Sequence, residues 1–299
     1  MCRIKYLLLL TALIIMGCQV SEQDDSLIEK RKNKVKEVAY QRAFKVGVMP
    51  TMDCLPIFLL KDSALYNPDD IDIRLKEYTS QRDCDTAMIN GRVQAAVTDL
   101  VQAEYLKDEK NAVLDYMTET NATWQLMATP ASGIKQVEDL GDKVIGLAFN
   151  SVTQYLTIQV ISSHSIKNRT YGSQINDIFI RMQMLRNKQL DAVWTSEPQT
   201  TQAKILGNKE IYNSTKQDFT PGAIVFVNAP KVEKRQAFED AYNKAVDMIN
   251  KHPIQYFAPL IKKYMRVDDK VISALPNMVY KRVTPPRQRD IIKAQNAIM

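Results

Sequence analysis

The chain has 299 residues, 45% of them hydrophobic and 25% charged, with 40 Lys and Arg against 34 Asp and Glu for a net charge of +6. This is globular composition with apolar mass for one large or two medium cores, and the mild basicity argues for no nucleic-acid partner. Two histidines, His164 and His252, leave little for a multi-histidine metal site. The nine glycines form neither G-x-G-x-x-G nor G-x-x-x-x-G-K-[ST], and no G-x-S-x-G elbow is present. The sequence is poor in catalytic equipment, and no metal, no cofactor and no catalytic residue is expected.

At the N-terminus, Arg3 and Lys5 precede an apolar run from Tyr6 to Met16. The run is too short to span a bilayer and reads as the core of a signal peptide. It ends Ile15-Met16-Gly17-Cys18, which resembles the lipobox of bacterial lipoproteins. The resemblance implies a signal peptide over 1–17 and a diacylglycerol thioether on Cys18. A plain secretory signal with an incidental cysteine is the alternative. Removing 1–17 discards Arg3 and Lys5 and no acid, lowering the net charge of +6 by two. Residues 18–43 read as a lipid-anchored tether. Glu22, Asp24 and Asp25 suit a solvated spacer, and the basic run Lys30 to Lys36 suits a partly helical, solvated leader or contact with anionic headgroups. Gln19 after the cysteine resembles the signal for outer-membrane sorting in enteric bacteria.

From residue 44 strands alternate with helices. Phe44–Met49 is a strand ending at Pro50, and Leu55–Ala64 a helix with Asp53 as a capping candidate. Ile71–Tyr78 alternates strictly and is a second strand. Asp83–Asn90 is a helix stopped by Gly91, and Ala95-Ala96-Val97 a third strand ending at Thr98-Asp99. Val144–Ala148, Ala192–Trp194 and Ala223–Val227 are further short strands. Lys231–His252 and Pro253–Tyr264 are long amphipathic helices, and a last helix runs from Pro286 to Met299. This β-α order predicts parallel pairing and an α/β sheet.

Four stretches in order resemble the nitrate/sulfonate/taurine-type solute-binding proteins of ABC transporters, a family that includes thiamine-precursor binders. Phe44 to Asp53 resembles the family's opening strand and ligand loop. Asn90-Gly91-Arg92-Val93-Gln94-Ala95-Ala96-Val97 resembles its step into the third strand, with Gln94 where Asp is usual. Ile134 to Gly146 is similar to I-x-x-x-x-D-L-x-G-K, with Gly141 and Asp142 displaced by one. Leu185 to Pro198 is similar to A-L-x-x-G-x-x-D-A-x-x-x-x-E-P, with Lys188 in place of Gly. The resemblance implies a two-lobed type II periplasmic binding protein fold, each lobe a mainly parallel sheet flanked by helices. Lobe one would be 44–125 with 222–299, and lobe two 126–221, the chain crossing near Trp124 and near Phe219-Thr220-Pro221. Such folds close on a solute by hinge motion.

Ligands in such sheets sit at the carboxyl ends of the strands. That rule selects Thr51, Met52 and Asp53 after the first strand, Thr79, Ser80 and Gln81 after the second, and Thr98 and Asp99 after the third. On lobe two it selects Asn150, Ser151, Val152 and Thr153 at a helix start, and Thr195, Ser196 and Glu197 after a later strand. Trp124, Tyr155 and Trp194 are the aromatic candidates. Each has a bland alternative: helix caps for Asp53 and Asp99, hinge packing for Trp124, core packing for Trp194, a helix start for Glu197. The acids with hydroxyls and amides tilt toward a neutral or cationic, heteroaromatic solute such as a pyrimidine or thiamine precursor, although helix N-termini can also bind anions. Cys54 and Cys84 fall on the same rim in an oxidising compartment, so a disulfide, two free, partly buried thiols and, last, metal or nucleophilic chemistry are the alternatives.

The resemblance implies a monomeric receptor in the bacterial cell envelope. It would be tethered to a membrane by lipid, take a small-molecule solute and deliver it to a separate permease. Two alternatives stay open: an enzyme on the same fold, a pyrimidine-synthesis or menaquinone-pathway relative, and a surface lipoprotein for capture or adhesion. The clustered-cysteine motif of the iron-dependent pyrimidine synthases is absent.

Overall fold

The structure, a computed structural model, describes residues 27–298. The expected signal peptide 1–17, the expected acylation site Cys18 and the first part of the tether lie outside the described residues. The chain divides at residue 43 into two units. Within the first, residues 27–42 form one helix, α1, whose side chains from 27 to 39 are all exposed.

The second unit, 44–299, carries the rest. Its first elements are β1 (Phe44–Val48), α2 (Leu55–Asp62), β2 (Ile73–Glu77), α3 (Gln81–Ile89), β3 (Ala95–Asp99), α4 (Leu100–Lys110) and β4 (Leu114–Glu119). The chain then crosses to β5 (Gln125–Ala128), β6 (Val144–Leu147), α5 (Val152–Ser163), β7 (Tyr171–Gln174), α6 (Ile178–Arg186), β8 (Ala192–Thr195), α7 (Gln199–Ile205) and β9 (Lys209–Asn213). It returns through β10 (Gly222–Val227) and ends in α8 (Val232–Ile249), α9 (Ala258–Met265), α10 (Asp269–Ala274) and α11 (Gln288–Ile298).

Among the described residues the strands form two five-stranded sheets, ordered β2-β1-β3-β10-β4 and β7-β6-β8-β5-β9. The two orders are the same topology written twice. In each, three parallel strands are followed by an antiparallel strand that comes directly from a crossing, β10 in the first sheet and β5 in the second. Sheet pairing is therefore mixed: Ala223–Val227, expected within a parallel series, runs antiparallel between β3 and β4. A strand that enters straight from the other half of the molecule has no crossover helix to reverse it.

The departures from the family wording each keep their structural role. The Gln94 side chain accepts a hydrogen bond from Lys45 N at 2.9 Å, stitching the start of β3 to β1. At the equivalent place in the second sheet the Asp191 carboxylate accepts from Val144 N at 2.8 Å. Gln94 thus supplies the acceptor that the usual Asp would. Lys188 has φ +59° and Asp142 φ +61°, the left-handed conformation that glycine adopts without strain. Asp139 closes the turn before β6 by accepting from Lys135 N and Gln136 N.

Each sheet buries its own core. Around β1 pack Phe44, Val46, Leu55, Phe58, Phe226, Phe238 and Tyr242, with Phe58 stacked on Tyr264 at 4.1 Å. Around β6 and β8 pack Ile145, Leu147, Leu156, Val160 and Trp194. Fully burying such side chains contributes about 1.5–3 kcal/mol each. At the second crossing, a Cβ on Gly222 would meet the Thr120 hydroxyl and stand 2.9 Å from Ala122 Cβ, so the two crossings touch through a residue without a side chain. Trp124 ties them again: its N–H donates to Ser214 Oγ and its carbonyl accepts from Ser214 N, both at 2.9 Å.

Candidate functional site

The carboxyl ends of the six parallel strands converge on one cleft of about 100 Å³ between the sheets, a volume suited to a small solute and far too small for a polymer. From the first sheet it is lined by Met49, Thr51 and Asp53 after β1, Gln81 after β2, and Val97, Thr98 and Asp99 at the end of β3. From the second come Ala148, Ser151, Val152 and Thr153 after β6, Asn176, Ile178, Arg181 and Met182 after β7, and Trp194, Thr195, Ser196 and Gln199 after β8. Ala122 and Trp124 of the first crossing complete the wall.

Asp99 is the centre of this arrangement. Its Oδ1 accepts from Gln102 N at 2.9 Å, capping α4, and from Val152 N at 3.1 Å across the cleft. One carboxylate oxygen therefore joins the N-termini of two helices, one from each half, where the helix dipoles favour negative charge. Burial nevertheless dominates and pushes its pKa up to about 7, against the opposing pull of those backbone bonds. Asp85, behind Gln81 and bonded to its Nε2 at 3.0 Å, is likewise raised to about 7 by burial. Asp53 caps no helix. Its buried carboxylate accepts from Thr120 Oγ1 at 3.3 Å, and burial raises its pKa.

Further bonds cross the cleft. Met52 N donates to the Glu197 carbonyl at 2.9 Å, and Gln199 Nε2 to the Pro50 carbonyl at 3.0 Å. On the opposite lip Ile178 N donates to the Thr79 carbonyl at 3.0 Å, and Thr79 Oγ1 donates to Asp177, the cap of α6. Beside them the Arg266 guanidinium lies over the Phe179 ring at 5.1 Å. The two halves are thus held closed over the cleft.

Of the residues expected from the sequence, Thr51, Asp53, Gln81, Thr98, Asp99, Trp124, Ser151, Val152, Thr153, Trp194, Thr195 and Ser196 line this cleft. The others do not. Met52 is 1% exposed with its side chain in the first core, and it reaches the cleft lip only through its N–H. Ser80 pairs with Asp177 in an isolated bridge. Asn150 and Tyr155 face a separate cavity between α4, α5 and α11, with Tyr155 packed on Phe219 at 5.1 Å. The Glu197 carboxylate folds back to accept from Thr201 N at 3.0 Å in the first turn of α7. Trp194 combines both of its readings: fully buried, its Nε1 donating to Thr157 Oγ1 at 2.7 Å, with one side on the cleft. Cys54 and Cys84 are buried free thiols, their pKa values pushed up by burial, and the bond between them is not formed.

Sequence reasoning missed Arg181, Asn176, Ile178, Met182 and Gln199. Arg181 matters most. Its guanidinium is buried, donating from Nε and Nη2 to the Ile175 carbonyl at 3.1 and 2.7 Å and from Nη1 to the Trp194 carbonyl at 3.1 Å. Burial lowers its pKa to about 10. Thr98 Oγ1, in contrast, is buried at the cleft with no hydrogen-bond partner. Buried hydroxyls are normally paired, so this one is free to bond whatever occupies the cleft.

No curated protein matches the chain by sequence. Solved structures match by fold. The ligand-binding component of an ABC-type import system from Staphylococcus aureus superposes with TM-score 0.72 at 14% identity, over 86% of this chain and 90% of that one. The alkanesulfonate-binding protein SsuA from Xanthomonas axonopodis pv. citri gives 0.70 at 15%, over 86% and 90%. The periplasmic nitrate-binding protein NrtA from Synechocystis gives 0.68 at 11%, over 83% and 74%. These likenesses establish the periplasmic binding protein fold. The NMT1/THI5-like family model matches residues 51–255, more than half of the sequence, and the chain belongs to that family.

Proposed function

We propose that this protein is the solute receptor of an ABC importer. It would be anchored to a membrane of the bacterial envelope through Cys18, act as a monomer and hand a small molecule to a separate permease. The lobes are 44–125 with 222–299, and 126–221, hinged at the two crossings. The observation that carries the reading is the cleft itself. Polar groups from the strand ends of both sheets meet there across a set of closing hydrogen bonds, and one buried hydroxyl, that of Thr98, waits for a partner. The named neighbours that bind alkanesulfonate and nitrate share this fold.

The lining favours binding over catalysis: it holds no histidine and no cysteine, and Ser151 Oγ is spent on the Ala148 carbonyl at 2.8 Å. A small inorganic anion would lie among the Asp53 and Asp99 carboxyls, with Arg181 the one cation in the lining. A neutral or singly cationic polar solute, its flat face against Trp124, suits this set better.

Native mass spectrometry of the purified chain lacking its acylated N-terminus tests the reading. One co-purifying small species per chain is expected. No retained species, together with no shift in melting temperature across a broad metabolite panel, would refute it.

A further inference from the structure

We propose that α1 is a membrane-surface helix that lies on the anionic leaflet beside the acylated Cys18, a role that rests on the lipid-anchor reading above. The observation is the segregation of its side chains. At about 100° per residue, Leu27, Ile28, Val35 and Val38 fall within an arc of about 100° on one side. Their exposures are 51%, 48%, 68% and 43%, so all four are exposed. Arg31 and Arg42 lie inside the same arc. Lys32 flanks it on one edge and Lys34 and Lys30 on the other, while Lys36 lies further round. Both acids of the helix, Glu29 and Glu37, fall on the far side, which Lys36 shares, and there Glu37 accepts from Gln41 Nε2 at 2.6 Å.

A solvated leader gives no reason for both acids to avoid the apolar arc. A helix lying in the interface of an acidic membrane does. It sinks an apolar stripe to the acyl boundary, lets arginine and lysine stems extend to phosphates around it, and turns its carboxylates to water. The anchor supplies proximity. Eight residues lie between Cys18 and Leu27, a reach of at most about 30 Å even when fully extended. An acyl anchor and a basic patch on the same short segment are two membrane signals acting together. The partner is therefore a bilayer bearing anionic headgroups.

The test uses the chain from residue 18 onward with Cys18→Ser, so that no acyl group contributes, in sedimentation with lipid vesicles. It should co-sediment with vesicles containing phosphatidylglycerol and not with pure phosphatidylcholine, and lose binding as salt rises. Replacing Lys30, Lys32, Lys34 and Lys36 together by glutamine should weaken partitioning roughly a hundredfold or more. Val35→Asp with Val38→Asp should abolish it, and Glu29→Gln with Glu37→Gln should leave it intact or strengthen it. Failure to bind anionic vesicles would overturn the proposal and turn attention to a protein partner for this stripe. Binding that ignores all the helix substitutions would overturn it too, by placing the lipid site elsewhere. Solute binding should be the same in every variant, so the receptor reading stands or falls separately.

Discussion

Replacing Asp99 by asparagine should stabilise the protein at neutral and alkaline pH. The asparagine oxygen can still accept from Gln102 N and Val152 N, so the cap of α4 and the bond across the cleft survive. What is lost is a charge that burial disfavours. The folded carboxyl is raised from 3.8 to about 7. Between those values the folded state holds a proton that the unfolded state has released, so stability contributed by this group is full below the unfolded pKa and falls as pH rises through the window. At about 1.4 kcal/mol per pH unit the loss reaches up to about 4 kcal/mol. Asp85, raised in the same direction, adds to the wild-type slope, so the informative quantity is the difference between variant and parent. Urea denaturation on both sides of the window should find Asp99→Asn equal to the parent in acid and more stable above pH 7. Asp99→Ala should be less stable in acid as well. It loses the cap, worth about 1 kcal/mol, and leaves the Val152 N–H unpaired at a further cost of about 1–3 kcal/mol. If Asp99→Asn is less stable than the parent above pH 7, the carboxylate is charged and favourable there, and the reasoning fails.

Thr98→Val keeps the shape but removes the orphan hydroxyl, so unliganded stability should hold or rise slightly in a thermal melt, while calorimetry shows solute affinity down by about 1 kcal/mol. Arg181→Lys forfeits the fork that holds the Ile175 and Trp194 carbonyls and should cost about 1.5–3 kcal/mol by urea denaturation. Gly222→Ala forces a methyl group against Thr120 and Ala122 where the crossings meet, and should destabilise by about 1–3 kcal/mol. An unchanged urea midpoint in either of the last two would contradict the packing described.

The sequence was most legible where local pattern and chemistry coincide. The apolar β1 and β3 and the alternating β2 announced themselves, and so did the strand-end residues Thr51, Thr98, Asp99 and Ser151. It was least legible where a role is made by distant chain. β7, Tyr171–Gln174, is a short, polar and largely exposed edge strand, so nothing marked it as a strand. Without it the loop carrying Asn176 and Ile178 went unread. Arg181 sits in α6, where an arginine reads as solvated, and only the carbonyls of Ile175 and Trp194 make it a buried cleft residue. Met52 and Glu197 were selected for side chains, yet they meet across the cleft through backbone atoms, which no residue identity encodes. The departures at Gln94, Asp142 and Lys188 became interpretable once a hydrogen bond and two left-handed backbones gave each its reason.

The protein has two tryptophans, Trp124 and Trp194, and both line the cleft. Intrinsic tryptophan emission therefore reports on this site alone. Titrating the chain lacking residues 1–18 with the solute found by native mass spectrometry should give a saturable change with one solute per chain, and Trp124→Phe should remove most of it. A solute that binds by calorimetry yet leaves the emission of both tryptophans unchanged would place binding elsewhere and contradict the account.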